Sequence, residues 1–152
     1  MTRFFLLDVD SNAVVLKHER SMVELTGRDM SRLAPGQWLN DEIINLYMRL
    51  LQERDTKLHE NHTEYPKCHF FNTFFIAKLY KDKQKYEYDA VRRWTVPARL
   101  KASGQSRKSI LDSDRIFIPV NQSNTHWVCA VADLKNRQLA YYDALKGSFC
   151  RC

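Results

Sequence analysis

Three short segments near the end of the sequence are enriched in β-branched and aromatic residues, a composition that favours strands over helices. They comprise residues 115–120, 127–132 and 138–142. The polar segment 133–137 predicts a turn between the last two strands, so these pair as an antiparallel hairpin in which paired residue numbers sum to about 270. Such a hairpin decides which side chains from separate parts of the sequence become neighbours.

One histidine and one aspartate occupy matching ends of this predicted hairpin. His126 precedes the second strand and Asp143 follows the third. The predicted register places them within one or two residues of each other across the ladder, on strands about 5 Å apart. A carboxylate in that position fixes the tautomer of the imidazole, so that the other ring nitrogen can take a proton from a nucleophile. The pair is a candidate general base with its orienting group; a structural ion pair is the alternative.

The first two thirds of the chain predict mainly helices. A strand-like opening is broken at residues 33–36, and Asn40 is the predicted N-cap of a helix with Asp41 in its first turn. Apolar residues recur at helical spacing along its buried face, namely Ile43, Leu46, Tyr47, Leu50 and Leu51. The polar segment 54–66 predicts a loop, and the aromatic-rich segment 68–80 predicts a second buried helix. The fold class is therefore α+β, with a helical N-terminal half and an antiparallel sheet in the C-terminal half.

Composition excludes several classes of protein. The 152 residues suit one domain, and no run approaches the roughly 20 apolar residues of a membrane span. The first residues carry Asp8 and Asp10 within an apolar run, which argues against a signal peptide, so we expect neither a membrane protein nor a secreted one. Residues 76–108 hold ten lysines and arginines against three acidic residues, which predicts an acidic partner, either a protein surface or a nucleic acid; a solvated charged face is the alternative.

Five groups of residues follow one another in an order that is typical of one enzyme family. They are Trp38-Leu39-Asn40-Asp41-Glu42-Ile43-Ile44-Asn45, Phe70-Phe71-Asn72-Thr73-Phe74-Phe75, Val91-Arg92-Arg93-Trp94-Thr95, Ile118-Pro119-Val120-Asn121 with His126-Trp127, and Tyr141-Tyr142-Asp143. Together they resemble the catalytic domain of the ubiquitin-like-protein-specific cysteine proteases, the sentrin/SUMO proteases. The resemblance covers residues 15–147, between a lead-in at 1–14 and a divergent tail at 148–152. It implies a papain-like fold, and the second and third groups favour the SUMO-processing branch.

The resemblance implies a role for each matching residue. His126 matches the catalytic histidine and Asp143 the carboxylate that orients it. Three substrate-binding roles are also implied. Trp38 and Trp127 match two tryptophans that cover the modifier's Gly-Gly tail, and Asp41 matches an acidic residue that pairs with a modifier arginine. The surface that docks the modifier's body is matched by Phe74, Arg93 and Trp94. Without the resemblance, Trp38 is better explained as a hydrophobic staple or a core residue, Phe74 as a core residue, and Asp41 by the helix dipole.

The function that the resemblance implies is cleavage after Gly-Gly, which matures a SUMO precursor or releases SUMO from lysine. It implies no metal and no organic cofactor, a SUMO-like modifier and its conjugates as partners, and a nuclear or nucleocytoplasmic location. Nucleic acid is not expected as a partner, because the basic segment has no recognised binding module. A metal site at His59, His62, Cys68 and His69 is not expected either, because this spacing is not one that zinc sites use.

The chain departs from the family pattern at the nucleophile. The family's cysteine lies in an Asp-Cys-Gly segment, and none of the 152 residues forms one. We therefore expect this chain to be the front portion of the protease fold, with the C-terminal part missing and the catalytic cysteine absent. Cys150 and Cys152 are poor substitutes, since no helix N-terminus or oxyanion donor accompanies them, and Cys68 and Cys129 lack family support. The alternative function is an inactive module that binds the modifier.

Overall fold

The computed structural model describes residues 11–81 and 85–145, together with the backbone of residues 150–151. The chain divides into two compact units, residues 1–47 and 48–152. Within the described residues no helix combines the length and the apolar character that crossing a membrane would require.

The first unit contains a small hairpin and a short helix. Strands β1 (Val14–His18) and β2 (Val23–Thr26) pair antiparallel, and helix α1 (Gly27–Ser31) follows directly. Thr26 caps α1 because its hydroxyl accepts from the Asp29 backbone N–H while the Asp29 carboxylate accepts from the Thr26 N–H. Among the described residues of this unit, Leu25, Ile43 and Leu46 are buried together as its core.

Helix α2 (Asp41–Asn61) begins where the sequence predicts and ends later. The Asn40 side chain accepts a hydrogen bond from the Ile43 N–H at 3.2 Å, which confirms Asn40 as the N-cap. The prediction of a loop from residue 54 is wrong for residues 54–61. These residues are polar because they face solvent or hydrogen-bond to the protein, and Arg, Lys, Leu and Glu among them are good helix formers. The predicted buried face is wrong at Tyr47 and Leu50, which are exposed.

The second unit is built on a five-stranded sheet. In their order across the sheet, the strands are β3 (Cys68–Phe70), β6 (Arg115–Gln122), β7 (His126–Asp133), β8 (Gln138–Tyr142) and β9 (Cys150–Arg151). The ranges of β6, β7 and β8 confirm the three strands predicted at residues 115–120, 127–132 and 138–142. Their pairing is antiparallel, as predicted, whereas β3 joins the edge of the sheet parallel to β6.

Short helices and a two-stranded ribbon connect β3 to β6. In order these elements are helix α3 (Phe74–Leu79), ribbon strands β4 (Tyr80–Lys81) and β5 (Lys85–Tyr86), helix α4 (Tyr88–Val91), a 3-10 turn (Arg92–Trp94), helix α5 (Pro97–Ala102) and a second 3-10 turn (Ile110–Asp112). The prediction of one helix over residues 68–80 is therefore wrong at both ends. A short apolar run does not distinguish a strand from a helix, and pairing with β6 decides it for residues 68–70.

Candidate active site

The turn between β7 and β8 sets the positions of His126 and Asp143. The Asp133 carboxylate accepts from the Asn136 N–H at 2.9 Å, and Arg137 adopts a positive φ of 54°, so the chain reverses over residues 134–137. In the resulting register Cys129 faces Tyr142 and Val131 faces Ala140, which is one position from the predicted pairing. If the pairing continues by one residue beyond Tyr142, Asp143 lies beside Val128, which is two residues from His126.

His126 and Asp143 form a short hydrogen bond at this end of the sheet. His126 Nε2 lies 2.7 Å from Asp143 Oδ1, and the two side chains are 13% and 2% exposed. The Leu145 N–H donates to the same carboxylate oxygen at 3.0 Å. Because an ionised carboxylate only accepts hydrogen bonds, the proton of a neutral His126 ring belongs on Nε2. Nδ1 is then the nitrogen that can take up a proton.

Neither described cysteine is placed or activated as a partner for this histidine. Cys129 lies on β7 at an odd number of positions from His126, so its side chain is on the opposite face of the sheet. Burial raises the pKa of the Cys129 thiol. Burial and the nearby Asp55 carboxylate raise the pKa of Cys68 to about 11, so both groups remain thiols near neutral pH. The side chains of Cys150 and Cys152 lie outside the described residues.

The three residues expected to dock a modifier lie on neighbouring elements of the second unit. Phe74 opens α3 and is 47% exposed, so the alternative that it is a core residue is wrong. Its neighbour Phe75 contacts Trp94, with ring centroids 5.9 Å apart, and stacks on Phe71. Arg93 is exposed on the same 3-10 turn as Trp94. An aromatic side chain and an arginine therefore both reach solvent along this part of the surface.

The other expected binding residues are divided between the two units. Trp38 and Asp41 belong to the first unit, where Trp38 is 58% exposed and Asp41 begins α2. Partial burial, with a smaller contribution from Glu42, raises the pKa of Asp41. Trp127 follows His126 on β7 and is half-buried in the second unit. Since Trp38 is largely exposed, the alternative that it is a core residue is wrong.

The structure does not assemble the four residues weighed as metal ligands. Both ring nitrogens of His59 lie within hydrogen-bond distance of backbone carbonyls, Asp55 O at 2.7 Å and Tyr65 O at 2.9 Å. His69 is buried and donates from Nδ1 to Gln105 Oε1 at 3.2 Å. In residues 11–81 and 85–145 no group of three potential ligands could hold a metal ion.

Sequence reasoning missed a set of polar contacts that hold β3. The Gln52 side chain accepts from the Phe70 N–H through Oε1 and donates to the Cys68 carbonyl through Nε2. The Asp55 carboxylate accepts from the Cys68 N–H at 2.9 Å. Arg107 joins them through Asp55 and the Cys68 carbonyl. We call these three side chains, Gln52, Asp55 and Arg107, the edge clamp. The only sequence signal is that Gln52 and Asp55 stand one helical turn apart inside an otherwise ordinary amphipathic helix.

A second missed contact lies beside His126. The Gln122 amide on β6 donates to the Tyr141 hydroxyl on β8, so the bond spans the strand that carries His126. Periodicity gives no signal for this pair, since the two residues belong to strands that are not adjacent in the sheet.

Comparison with known proteins gives one matching family model. Residues 37–148 match the model described as the Ulp1 protease family, C-terminal catalytic domain. The chain is 46% identical over 138 residues to ubiquitin-like-specific protease 1A of Arabidopsis thaliana, and the match covers 91% of this chain and 25% of that protein. It is 35% identical over 123 residues to human sentrin-specific protease 2, covering 81% of this chain and 18% of that protein. The chain thus spans about a quarter or less of these curated relatives.

Solved structures give the same result for the fold. The X-ray structure of the C-terminal Ulp1 protease domain in complex with Smt3, the yeast ortholog of SUMO, matches with a TM-score of 0.65 and 30% identity. That match covers 90% of this chain and 51% of the solved domain. The catalytic domain of the Chaetomium thermophilum Ulp1-like SUMO protease matches with a TM-score of 0.67 at 23% identity, which supports the fold alone.

Proposed function

The chain belongs to the Ulp1 protease family of cysteine peptidases, and we propose that it recognises a SUMO-like modifier and carries the general base for cleavage after the modifier's Gly-Gly end. The observation that carries this proposal is the 2.7 Å hydrogen bond between His126 Nε2 and Asp143 Oδ1. The names of the relatives and the Smt3 complex of the solved Ulp1 domain support the choice of modifier.

In the proposed chemistry, Nδ1 of His126 accepts the proton of a cysteine thiol. The thiolate attacks the carbonyl carbon of the modifier's last glycine, and the amine leaves with the proton that the imidazolium returns. Water then hydrolyses the thioester, so the products are the modifier's free carboxylate and the amine. Asp143 stabilises the imidazolium in both steps while it stays ionised. The thiol is neither Cys68 nor Cys129, since both have a raised pKa.

Binding in this proposal rests on one surface of each unit. Phe74, Arg93 and Trp94 dock an acidic face of the modifier, and the excess of positive charge in residues 76–108 attracts it. The resemblance gives Trp38, in the first unit, and Trp127, in the second, each a contact with the Gly-Gly tail, which suits glycine because a larger side chain would collide with an indole ring. Asp41 pairs with a modifier arginine, and that pairing would offset the partial burial that raises its pKa.

A second candidate function is binding of the modifier without turnover. One observation favours it: both described thiols, Cys68 and Cys129, have raised pKa values. In this case the same surfaces would bind the modifier, and the His126–Asp143 pair would do no chemistry.

One experiment separates the two functions. The purified chain, shown to be folded by circular dichroism, is titrated with SUMO and then exposed to SUMO whose C-terminal glycine carries a thiol-reactive electrophile. Saturable binding with a stoichiometric adduct in the intact mass, lost in His126→Ala but retained in His62→Ala, supports the protease. His62 is a suitable control because it is an exposed histidine outside the pair.

Each other result has a definite meaning. Saturable binding without an adduct shows that these 152 residues do not supply the nucleophile, and it supports the binding module for this chain. A folded sample that does not bind SUMO overturns both functions.

The place of action belongs to the same proposal. We infer a nuclear or nucleocytoplasmic location from the family resemblance, and a fluorescent fusion in living cells would test it by whether the signal enters the nucleus.

A further inference from the structure

Gln122, His126 and Asp143 share one face of the sheet. Gln122 on β6 is paired directly with His126 on β7, so their Cβ atoms are about 5 Å apart on the same face. Tyr141 on β8 faces Ala130, four residues from His126, which puts its side chain on this face as well. Asp143 follows two residues later on the same face.

The hydrogen bond between Gln122 and Tyr141 crosses this face diagonally. Tyr141 is paired with Ala130 on β7, whereas Gln122, whose amide donates to the Tyr141 hydroxyl, is paired with His126. The phenol must therefore lean across β7, over Val128, toward the end of the strand where His126 meets Asp143. Ala130 allows this because its methyl group leaves room beside Tyr141.

We propose that Gln122 and Tyr141 are positioning residues, whose hydrogen bond across β7 confines the imidazole of His126 to the orientation that Asp143 requires. Gln122 flanks the imidazole on the β6 side, and Tyr141 fixes Gln122 by holding its amide. A rotation of His126 away from Asp143 would have to displace the paired Gln122, and the bond to Tyr141 opposes that displacement. This inference rests on the proposed function only for the role given to His126.

The test measures the Nε2–H proton of His126 by NMR in the full chain with ¹⁵N-labelled histidine, assigned by its loss in His126→Gln. The variants are Tyr141→Phe, which removes one hydroxyl, and Gln122→Met, which keeps the side-chain length without the amide. Loss of one hydrogen bond of ordinary net strength predicts that solvent exchange of this proton becomes about fivefold faster in each variant. The double variant should match the single ones, because both remove the same bond.

Tyr142→Phe is the matched control, since Tyr142 is the next residue on β8, lies on the opposite face and is 43% exposed. It should leave the exchange rate unchanged. If Tyr141→Phe and Gln122→Met also leave it unchanged in folded protein, or if their effects simply add, the positioning role is overturned and the proposed function stands. If the parent chain shows no Nε2–H protected from exchange, the His126–Asp143 pair fails, and the proposed catalysis fails with it.

Discussion

Arg107 and Asp55 lie 52 residues apart in the sequence and form a buried ion pair, with Arg107 Nη2 2.7 Å from Asp55 Oδ2. Through this pair, α2 and the segment before β6 both bind the backbone of β3. An edge strand exposes backbone groups that would otherwise need water or another strand. Here the edge clamp supplies those partners, with Gln52 taking the place that a neighbouring strand would have.

Removing the arginine should destabilise the fold strongly. Arg107→Met leaves the Asp55 carboxylate buried with fewer partners, and breaking a buried pair in this way costs about 3–5 kcal/mol of the free energy of unfolding. Urea denaturation followed by circular dichroism measures the difference. The control is Arg115→Met, because Arg115 is 44% exposed in its ion pair with Asp133 and should lose only about 0–1 kcal/mol. Equal losses in the two variants would show that the clamp does not stabilise β3.

Reversing one exposed charge should weaken binding of the modifier. Arg93→Glu is expected to raise the dissociation constant for SUMO about tenfold or more, because the proposed partner surface is acidic. The matched control is Lys135→Glu, which makes the same change in charge at an exposed site in the turn after β7. Surface plasmon resonance at low and high salt measures both, and the difference should shrink at high salt. An unchanged dissociation constant for Arg93→Glu would exclude this part of the surface.

The Cys68 thiol should react slowly in the folded protein. Its pKa of about 11 stands against a usual value of 9.0, so at about pH 8 the thiolate fraction falls roughly a hundredfold. A timed pulse of iodoacetamide followed by peptide mapping, in native and in guanidinium-unfolded protein, measures the ratio. Native alkylation at the unfolded rate would contradict both the raised pKa and the exclusion of Cys68 as nucleophile.

Acidification should destabilise the protein through His69. Burial, the main cause, lowers the pKa of His69 below its usual 6.5, so the unfolded chain binds a proton more readily than the folded one. The stability that depends on neutral His69 is complete above about pH 6.5 and is lost as the pH falls below that value. Unfolding free energies from about pH 7.5 to 5 should fall more steeply for the parent than for His69→Gln. Parallel curves would show that His69 does not titrate in this way.

The site was predictable where it depends on local sequence. Segment 133–137 has turn residues and its flanking strands have β-branched residues, so the hairpin and the nearness of His126 and Asp143 follow from neighbours in the chain. The family motifs supplied the roles, which no periodicity could give. The roles of Trp38, Asp41, Phe74, Arg93, Trp94 and Trp127 remain predictions that the binding experiments test.

The parts of the fold that the sequence did not predict depend on contacts between residues far apart in the chain. Residues 68–70 form a strand only because β6 lies beside them, and an apolar aromatic run alone fits a helix equally well. Likewise, the polar residues of α2 after Arg54 suggest a loop until β3 is present to donate the Cys68 N–H to the Asp55 carboxylate. Gln122 and Tyr141 become partners only when β7 is placed between their strands.

The pairing of β3 with β6 also implies an order of assembly. β6, β7 and β8 are joined by turns of a few residues, so their contacts form with little loss of chain entropy, whereas β3 must find β6 across more than forty intervening residues. We therefore expect the sheet that carries His126 to form early during refolding and β3 to dock afterwards. Pulsed hydrogen exchange would then show amide protection in β7 before β3. The hydrogen bonds of the edge clamp to β3 would form only after β6, β7 and β8 have paired.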